Sequence, residues 1–273
     1  MKHKVRPLTS EDIPGALALC QMSGWNQLTT DWDRLLKHEP QGCFAVEANR
    51  EIIATVTTTC YGRDLAWIGM MLVHENYRRQ GIAGALIAKC LEHLRSRNIR
   101  CIKLDATPAG KLVYSQMGFR DEWSFHRWKR DGDSEATRRN LNLGTVHGEW
   151  NHELDQIAFG VDRREWLNRL AAHSCSVNYK EGCGMIREGH LASYIGPMIA
   201  GTAKTAAQVI DALLLITSRT TFWDVPQPNQ DAVALAEENG FQPVRDLTRM
   251  WTGVELIPCD LSLQYALSDP GTG

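Results

Sequence analysis

The sequence has no pair of cysteines at C-x-x-C spacing. Its eight cysteines (20, 43, 60, 90, 101, 175, 183 and 259) are scattered, and Cys183 stands alone in "EGCGM". That argues against a zinc site or a dithiol centre and for reduced, mostly buried thiols. No run of about 18 apolar residues occurs, so no segment is expected to span a membrane. The opening "MKHKVRPLTSEDI" lacks the apolar stretch of a signal peptide. Charge of one sign is not in excess either: the net charge is -2 and the pI about 6.5. Such a balance gives no basic field for nucleic acid or an anionic membrane, and the basic residues do not cluster with aromatics. The expectation is a soluble, cytoplasmic monomer or homodimer with no nucleic-acid, membrane or metal partner.

What is present is an ordinary globular balance over 273 residues, 43% hydrophobic and 23% charged. That length suits two domains. "KVRPL" reads as a first strand, and Thr9 or Ser10 as the cap of a helix bearing Ile13, Leu17 and Leu19. A second short helix is expected after a cap at Thr30 or Asp31. "CFAVEA" and "EIIATVTTTCYG" read as a hairpin turning at "NR". "LAWIGMMLV" is nearly all apolar and predicts a strand covered on both faces. A helix follows from about Ala83 to Arg97, then the strand "RCIKLDAT", the helix "AGKLVYSQMGF" and the strand "FRDEWSFHRWKR". Residues 131–147 are polar and aperiodic and read as a linker between domains at 1–130 and 148–273. Beyond it come a helix over "FGVDRREWLNRLAAHS" capped by Asp162, a strand pair around "CGMIREGHLASYIGPMIA", the helix "TAAQVIDALLLIT", the strand "TTFWDVP" and the helix "NQDAVALAEENGF".

The two halves echo each other. "WIGMMLV" is matched by "YIGPMIA", "KLDATP" by "FWDVPQP", and "VYSQMGF" by "ALAEENGF". The order strand, turn, helix, strand, helix, Gly-Phe occurs twice, which implies an internal duplication of roughly 120–130 residues. The turns differ. The first copy has "HENYRRQGIAGA" before its helix, the second only "GTAKTA"; Tyr114 of the first is Ala236 in the second.

The first turn has the composition of a phosphate cradle. A helix N-terminus exposes unpaired N–H groups, and Gly81, Ala83 and Gly84 leave room for a pyrophosphate to approach them. Arg78, Arg79 and Gln80 add donors at the rim. The pattern is neither GxxxxGK[ST] nor GxGxxG. Taken alone, Arg-x-x-Gly-x-Ala suits a plain helix start equally well. Its setting narrows the choice: "MLV" ends a buried strand before it, and Tyr-x-x-x-Gly-Phe follows some 30 residues on.

With those neighbours, "VRPLTSEDI", "IGMMLVHENYRRQGIAGALI" and "VYSQMGF" resemble the GNAT superfamily of acyl-CoA-dependent N-acetyltransferases. The resemblance spans residues 3 to about 128 and, more faintly, 150–255 as a second, degenerate copy. It implies an α/β (α+β) fold of two GNAT-like domains, each a mixed, mostly antiparallel twisted sheet flanked by helices. In the first domain the fourth and fifth strands would splay around the cofactor, acetyl-CoA. Met71, Leu72 and Val73 would meet the pantetheine, with the Val73 N–H near the acetyl carbonyl as an oxyanion donor. Arg78, Arg79, Gln80, Gly81, Ile82, Ala83 and Gly84 would hold the pyrophosphate. Tyr114 matches the family's general acid toward the leaving thiolate; its other reading is a half-buried core aromatic.

This chain departs from the family pattern twice. Thr107 and Pro108 stand where an asparagine is common, and "AWIGMMLV" holds no acidic residue to act as a base. Asp105 at the end of the fifth strand, His74, or no side chain at all remain open as the base; Asp105 reads equally as an Asx turn before Pro108. The second half either completes the acceptor pocket or is purely structural. Trp25, Asn26 and Gln27 from the first half, and Tyr194, Trp223 and Asp224 from the second, are the candidate pocket residues. The expected activity is transfer of an acetyl group to a primary amine, of a small molecule by preference. A non-catalytic acyl-CoA-binding module and a protein lysine or N-terminal acetyltransferase are the alternatives.

Overall fold

The computed structural model describes residues 3–132 and 149–273. The first half runs β1 (Val5–Pro7), α1 (Ile13–Met22), α2 (Thr29–His38), β2 (Phe44–Ala48), β3 (Glu51–Tyr61), β4 (Leu65–Val73), α3 (Ile82–Ser96), β5 (Cys101–Ala106), α4 (Pro108–Gln116) and β6 (Arg120–Arg130). The second runs α5 (His152–Phe159), α6 (Arg164–Ala171), β7 (Cys175–Tyr179), β8 (Gly182–Arg187), β9 (Ser193–Ala200), α7 (Ala203–Leu214), β10 (Thr221–Pro226), α8 (Gln230–Glu238), β11 (Gln242–Gly253) and β12 (Gln264–Ala266). From α1 to β6 and from α5 to β11 the order of helices and strands is the same. The linker expected at 131–147 lies outside the described residues, apart from Asp131 and Gly132. No helix of the described residues is long and apolar enough to cross a membrane.

Two local expectations are corrected. The single helix read across 159–174 ends one helix and forms another. Gly160 sits at φ 100 with the Pro258 carbonyl where a Cβ would be, so the chain must turn there. Asp162 then accepts from the Arg164 N–H at 2.8 Å and opens α6. The cap of α2 is not a side-chain oxygen at its own N-cap: Leu28 occupies that position, and the Asp31 carboxylate reaches back to the Leu28 N–H at 2.8 Å.

The two expected sheets are one. Among the described residues the strand order is β1-β2-β3-β4-β5-β11-β6-β10-β9-β8-β7, with β12 on β9. Each half sends its long late strand into the other. β11 pairs antiparallel with β5 from Thr248↔Ala106 to Gly253↔Cys101, and β6 pairs antiparallel with β10 from Thr221↔Arg130 to Pro226↔Phe125. The exchange covers two edges that would otherwise expose unpaired N–H and C=O groups.

The side chains repeat the exchange. Arg249 of β11 donates to both oxygens of Asp105 on β5, at 2.9 and 3.0 Å. Arg127 of β6 does the same to Asp224 on β10, at 2.8 Å twice. Asp105 and Asp224 have no exposed side-chain surface. A buried ion pair is tolerated when its geometry is bidentate and its remaining faces are matched. Here the Arg249 guanidinium lies 4.3 Å from the Trp67 ring and 4.3 Å from the Trp123 ring.

Apolar cores flank the sheet in each half. Leu86, Ile87, Cys90, Leu91 and Leu94 of α3 face β3–β5, as the helical spacing predicts. Ala206, Val209, Ile210 and Leu213 of α7 repeat the arrangement in the second half.

The last ten residues tie the halves together. β12 pairs antiparallel with β9, Gln264↔Ile199 and Ala266↔Met198. Trp223 Nε1 donates to the Tyr265 carbonyl at 2.8 Å, and the Leu267 N–H to the Asp224 carbonyl at 3.0 Å. The chain then crosses to the first half. The Tyr61 hydroxyl donates to the Thr272 carbonyl, and Arg163 Nη1 to the Gly273 carbonyl at 3.2 Å. A Cβ on Gly69 would fall 2.2 Å from the Gly271 carbonyl oxygen, so β4 needs glycine where this segment crosses it.

Candidate active site

β4 and β5 pair in parallel from Leu65↔Cys101 to Trp67↔Lys103 and then part. A bulge drives them apart. Met70 adopts φ 50, and Met70 with Met71 opposes the single Val56 between the pairs Thr57↔Gly69 and Thr55↔Leu72. Thr55 Oγ1 fixes the bulge by donating to the Met70 carbonyl at 2.9 Å. A cavity of about 410 Å³ follows the gap. Met71, Leu72, Arg78, Ala83, Thr107 and Tyr114 line it toward α3 and α4. Trp25, Gln27, Arg245 and Asp269 line it toward the second half.

Val73 does not line the cavity with its side chain, which packs on the first core. Its backbone does face the gap. The His74 N–H donates to the Ile53 carbonyl at 2.8 Å, and bonded and unbonded pairs alternate along antiparallel strands. Ala54↔Val73 is therefore an unbonded pair, and the Val73 N–H and C=O point away from β3. The carbonyl accepts from Arg78 Nε at 3.1 Å.

α3 starts without a side-chain cap. Gly81 is its N-cap residue, at φ 77, a conformation glycine adopts freely. The first internal bond is Ala85 N–H to the Gly81 carbonyl at 3.0 Å. The N–H groups of Ile82, Ala83 and Gly84 precede it and have no acceptor within the helix. Nothing lies within 4 Å of where a Cβ on Gly81 or Gly84 would be. Ile82 turns its side chain into the core. Arg78, Arg79 and Gln80 are exposed at the rim; Gln80 Nε2 donates to the Asn76 carbonyl at 3.3 Å. Open N–H groups, a positive dipole end and free space together fit a pyrophosphate.

α4 begins at Pro108, whose missing N–H suits a first turn, and Thr107 Oγ1 accepts from the Gly110 N–H at 3.2 Å. That helix holds Tyr114 on the cavity wall, half-buried, with its ring 6.0 Å from that of Phe119. Burial pushes the phenol up to about 12, so it stays protonated through the neutral range.

Asp105 lines the same cavity, but both its oxygens accept from Arg249. Burial pushes its pKa up to about 6 even against that cation. No Asx turn forms there, because Thr107 caps α4 instead. The second half makes the same Asp–Arg pair with Asp224, beside a gap that β12 occupies. The pair is thus a feature of strand exchange. His74 Nδ1 accepts from the Asn76 N–H at 3.2 Å and stays outside the cavity.

Trp25, Asn26 and Gln27 all reach the cavity. The Asn26 amide is committed to the second half: Oδ1 accepts from Leu191 and Ala192 N–H at 2.8 and 2.9 Å, and Nδ2 donates to the Ala192 carbonyl at 3.0 Å. Gln27 Oε1 is buried without a partner. None of the three residues expected from the second half lines the cavity. Trp223 is fully buried in the second core, an aromatic that fills space. Asp224 stands behind Arg127. Tyr194 donates to Asp224 Oδ2 at 2.8 Å and borders a small polar chamber next to the cavity. Arg127, Arg245, Leu247 and Asp269–Gly271 supply that wall instead. The matching "FHR" and "LTR" in β6 and β11 hint at the exchange, but "SDPGTG" has no periodicity to read.

The equivalent gap between β9 and β10 is filled. Those strands pair in parallel from Thr221↔Ser193 to Trp223↔Ile195, and β12 takes the place beyond.

Residues 13–119 match the acetyltransferase (GNAT) family, and residues 152–266 match an acetyltransferase (GNAT) domain. A putative acetyltransferase from Pyrococcus horikoshii has a TM-score of 0.85 at 23% identity, over 99% of this chain and 95% of that one. A GCN5-related N-acetyltransferase from Sphaerobacter thermophilus has a TM-score of 0.66 at 14% identity, over 94% of this chain and 98% of that one. A tandem GNAT protein from the clavulanic acid biosynthesis pathway has 0.62 at 13%, over 95% of this chain and 100% of that one. At such identities the likeness is one of fold. No curated protein matches the chain in sequence. With a matching domain in each half and one continuous sheet between them, the chain belongs to the GNAT acetyltransferase family.

Proposed function

We propose that this protein is an acetyl-CoA-dependent N-acetyltransferase with one working cleft, acting on the primary amine of a small molecule. The observation that carries the reading is one cavity that joins an uncapped helix start to a protonated tyrosine. Acetyl-CoA supplies an acetyl group activated as a thioester. The N–H groups of Ile82, Ala83 and Gly84 are placed for its pyrophosphate, with Arg78 and Arg79 at the rim. The edge of β4 at Met71–Val73 is free to pair with an amide-bearing arm, as an added strand would.

The Val73 N–H faces the gap, where it can donate to a carbonyl oxygen that takes on charge. Tyr114 holds a proton for a departing sulfur. Balanced, an amine nitrogen gains the carbonyl carbon, the carbon–sulfur bond breaks, the sulfur takes the Tyr114 proton, and the nitrogen loses one to restore it through solvent. The amine must be neutral to attack, and the half-enclosed cavity favours that form by desolvation. The small volume and the wall built by the second half support a small acceptor over a protein tail.

The test has two readouts. Calorimetry should give one acetyl-CoA per chain, and thiol release should appear with some members of an amine panel. Tyr114→Phe should cut turnover about 100-fold or more and leave acetyl-CoA affinity unchanged. Heat of binding with no turnover on any amine would instead favour a non-catalytic module.

A further inference from the structure

The acceptor end of the cavity sorts its charges. The Arg245 side chain has no hydrogen bond or ion pair among the described residues. It stands on β11 beyond the last β5 pair, Thr248↔Ala106, next to Arg127 and against the apolar Leu247. Arg127 is already bidentate to Asp224, whose carboxylate reaches Arg245 only through space and not by a hydrogen bond. Arg245 is exposed at the cavity wall, and a guanidinium there is available to take a carboxylate with two hydrogen bonds.

The opposite charge lies at the bulge. Asp269 Oδ1 accepts from the Gly271 N–H at 2.7 Å, and Oδ2 from Arg187 Nη2 at a longer 3.3 Å. Its side chain keeps 20% of its surface accessible, and it lines the cavity. Gln27 Oε1, buried and unpartnered, lines the same stretch. The segment carrying Asp269 lies directly over Gly69 and Met70, where β4 leaves β5. Acceptors for an ammonium therefore stand near the point of acyl transfer, and a free cation stands farther off on β11.

We propose that the acceptor is a small zwitterionic amine, an α-amino acid, bound with its nitrogen toward Asp269 and Gln27 and its carboxylate on Arg245. This rests on the transferase reading above and names its substrate class. Trp25, Leu247 and Pro270 give the remaining wall an apolar character suited to a hydrocarbon side chain. The second half then sets specificity: it contributes the cation, the carboxylate and part of the apolar wall.

The experiment measures thiol release from acetyl-CoA with leucine, leucinamide and isoamylamine as acceptors. Leucine should exceed the other two at least about 10-fold in kcat/KM, the scale of one charge-assisted hydrogen bond. Arg245→Gln should remove that preference by lowering kcat/KM for leucine to the level of the carboxyl-free amines, with acetyl-CoA still bound in calorimetry, and be partly rescued by Arg245→Lys. Equal use of all three acceptors overturns the inference and leaves the transferase standing. So does loss of acetyl-CoA affinity in Arg245→Gln, which would place the arginine on the cofactor. No transfer to any amine, with acetyl-CoA bound, overturns both readings.

Discussion

In the first half the gap beyond Trp67↔Lys103 stays open and leads to α3, whose N-cap Gly81 offers no side-chain oxygen. In the second half the gap beyond Trp223↔Ile195 holds β12, and α7 begins at Thr202, whose Oγ1 accepts from the Thr205 N–H at 3.1 Å. The features that would bind a ligand in one half are replaced or partly satisfied by the chain itself in the other. β12 supplies the strand partner, Thr202 the cap, and Ala236, fully buried, replaces the phenol of Tyr114. A backbone edge or helix start cannot be buried unpaired. The second gap is closed by its own chain, whereas the first stays open to solvent or a ligand. The closing segment does more than plug: after Leu267 it runs on to line the open cleft.

The sharpest way to break this comparison is through the paired carboxylates. Asp105→Ala and Asp224→Ala each leave a buried arginine without its partner, and each should cost about 3–5 kcal/mol in urea unfolding. Near-equal losses fit a shared architectural role. If Asp105 is the catalytic base, Asp105→Asn should cost turnover far beyond what Asp224→Asn costs at matched stability.

That test bears on what the sequence could show. The order of elements was legible in the stretches read, because strand alternation and helical spacing are local signals. "WIGMMLV" and "YIGPMIA" reveal the duplication for the same reason. The open turn at Gly81–Gly84 and the tyrosine on α4 were legible as a pattern. Strand exchange was not: "RDEWSFHRWKR" reads as a strand wherever it pairs, "QPVRDLTRMWTG" lies beyond the stretches read, and partner choice depends on distant edges. Asp105 looked free because its partner, Arg249, lies 144 positions away. Trp223 looked like a pocket aromatic because burial on both faces leaves no mark on one residue.

A smaller effect separates binding from stability at the open cleft. Gly84→Leu puts a side chain into the free space over the α3 start and replaces a poor helix former with a good one. The melting temperature should hold or rise, while acetyl-CoA affinity falls at least about 10-fold, since the pyrophosphate loses its approach to the N–H groups. Unchanged affinity by calorimetry would move the cofactor away from α3.

The smallest effect compares the glycines that precede the two helices. Gly81 sits at φ 77, where an alanine costs about 1–2 kcal/mol. Gly201 has no positive φ, and a Cβ there would meet the Glu181 carbonyl at 3.7 Å and Glu181 Cβ at 4.0 Å, both ordinary contacts. Gly201→Ala should be neutral or stabilise by about 0.4–1 kcal/mol, through a less flexible unfolded chain. Thermal unfolding should thus give the two substitutions opposite signs. The same sign for both would mean that the left-handed residue at the head of α3 is not what distinguishes the open helix start from the capped one.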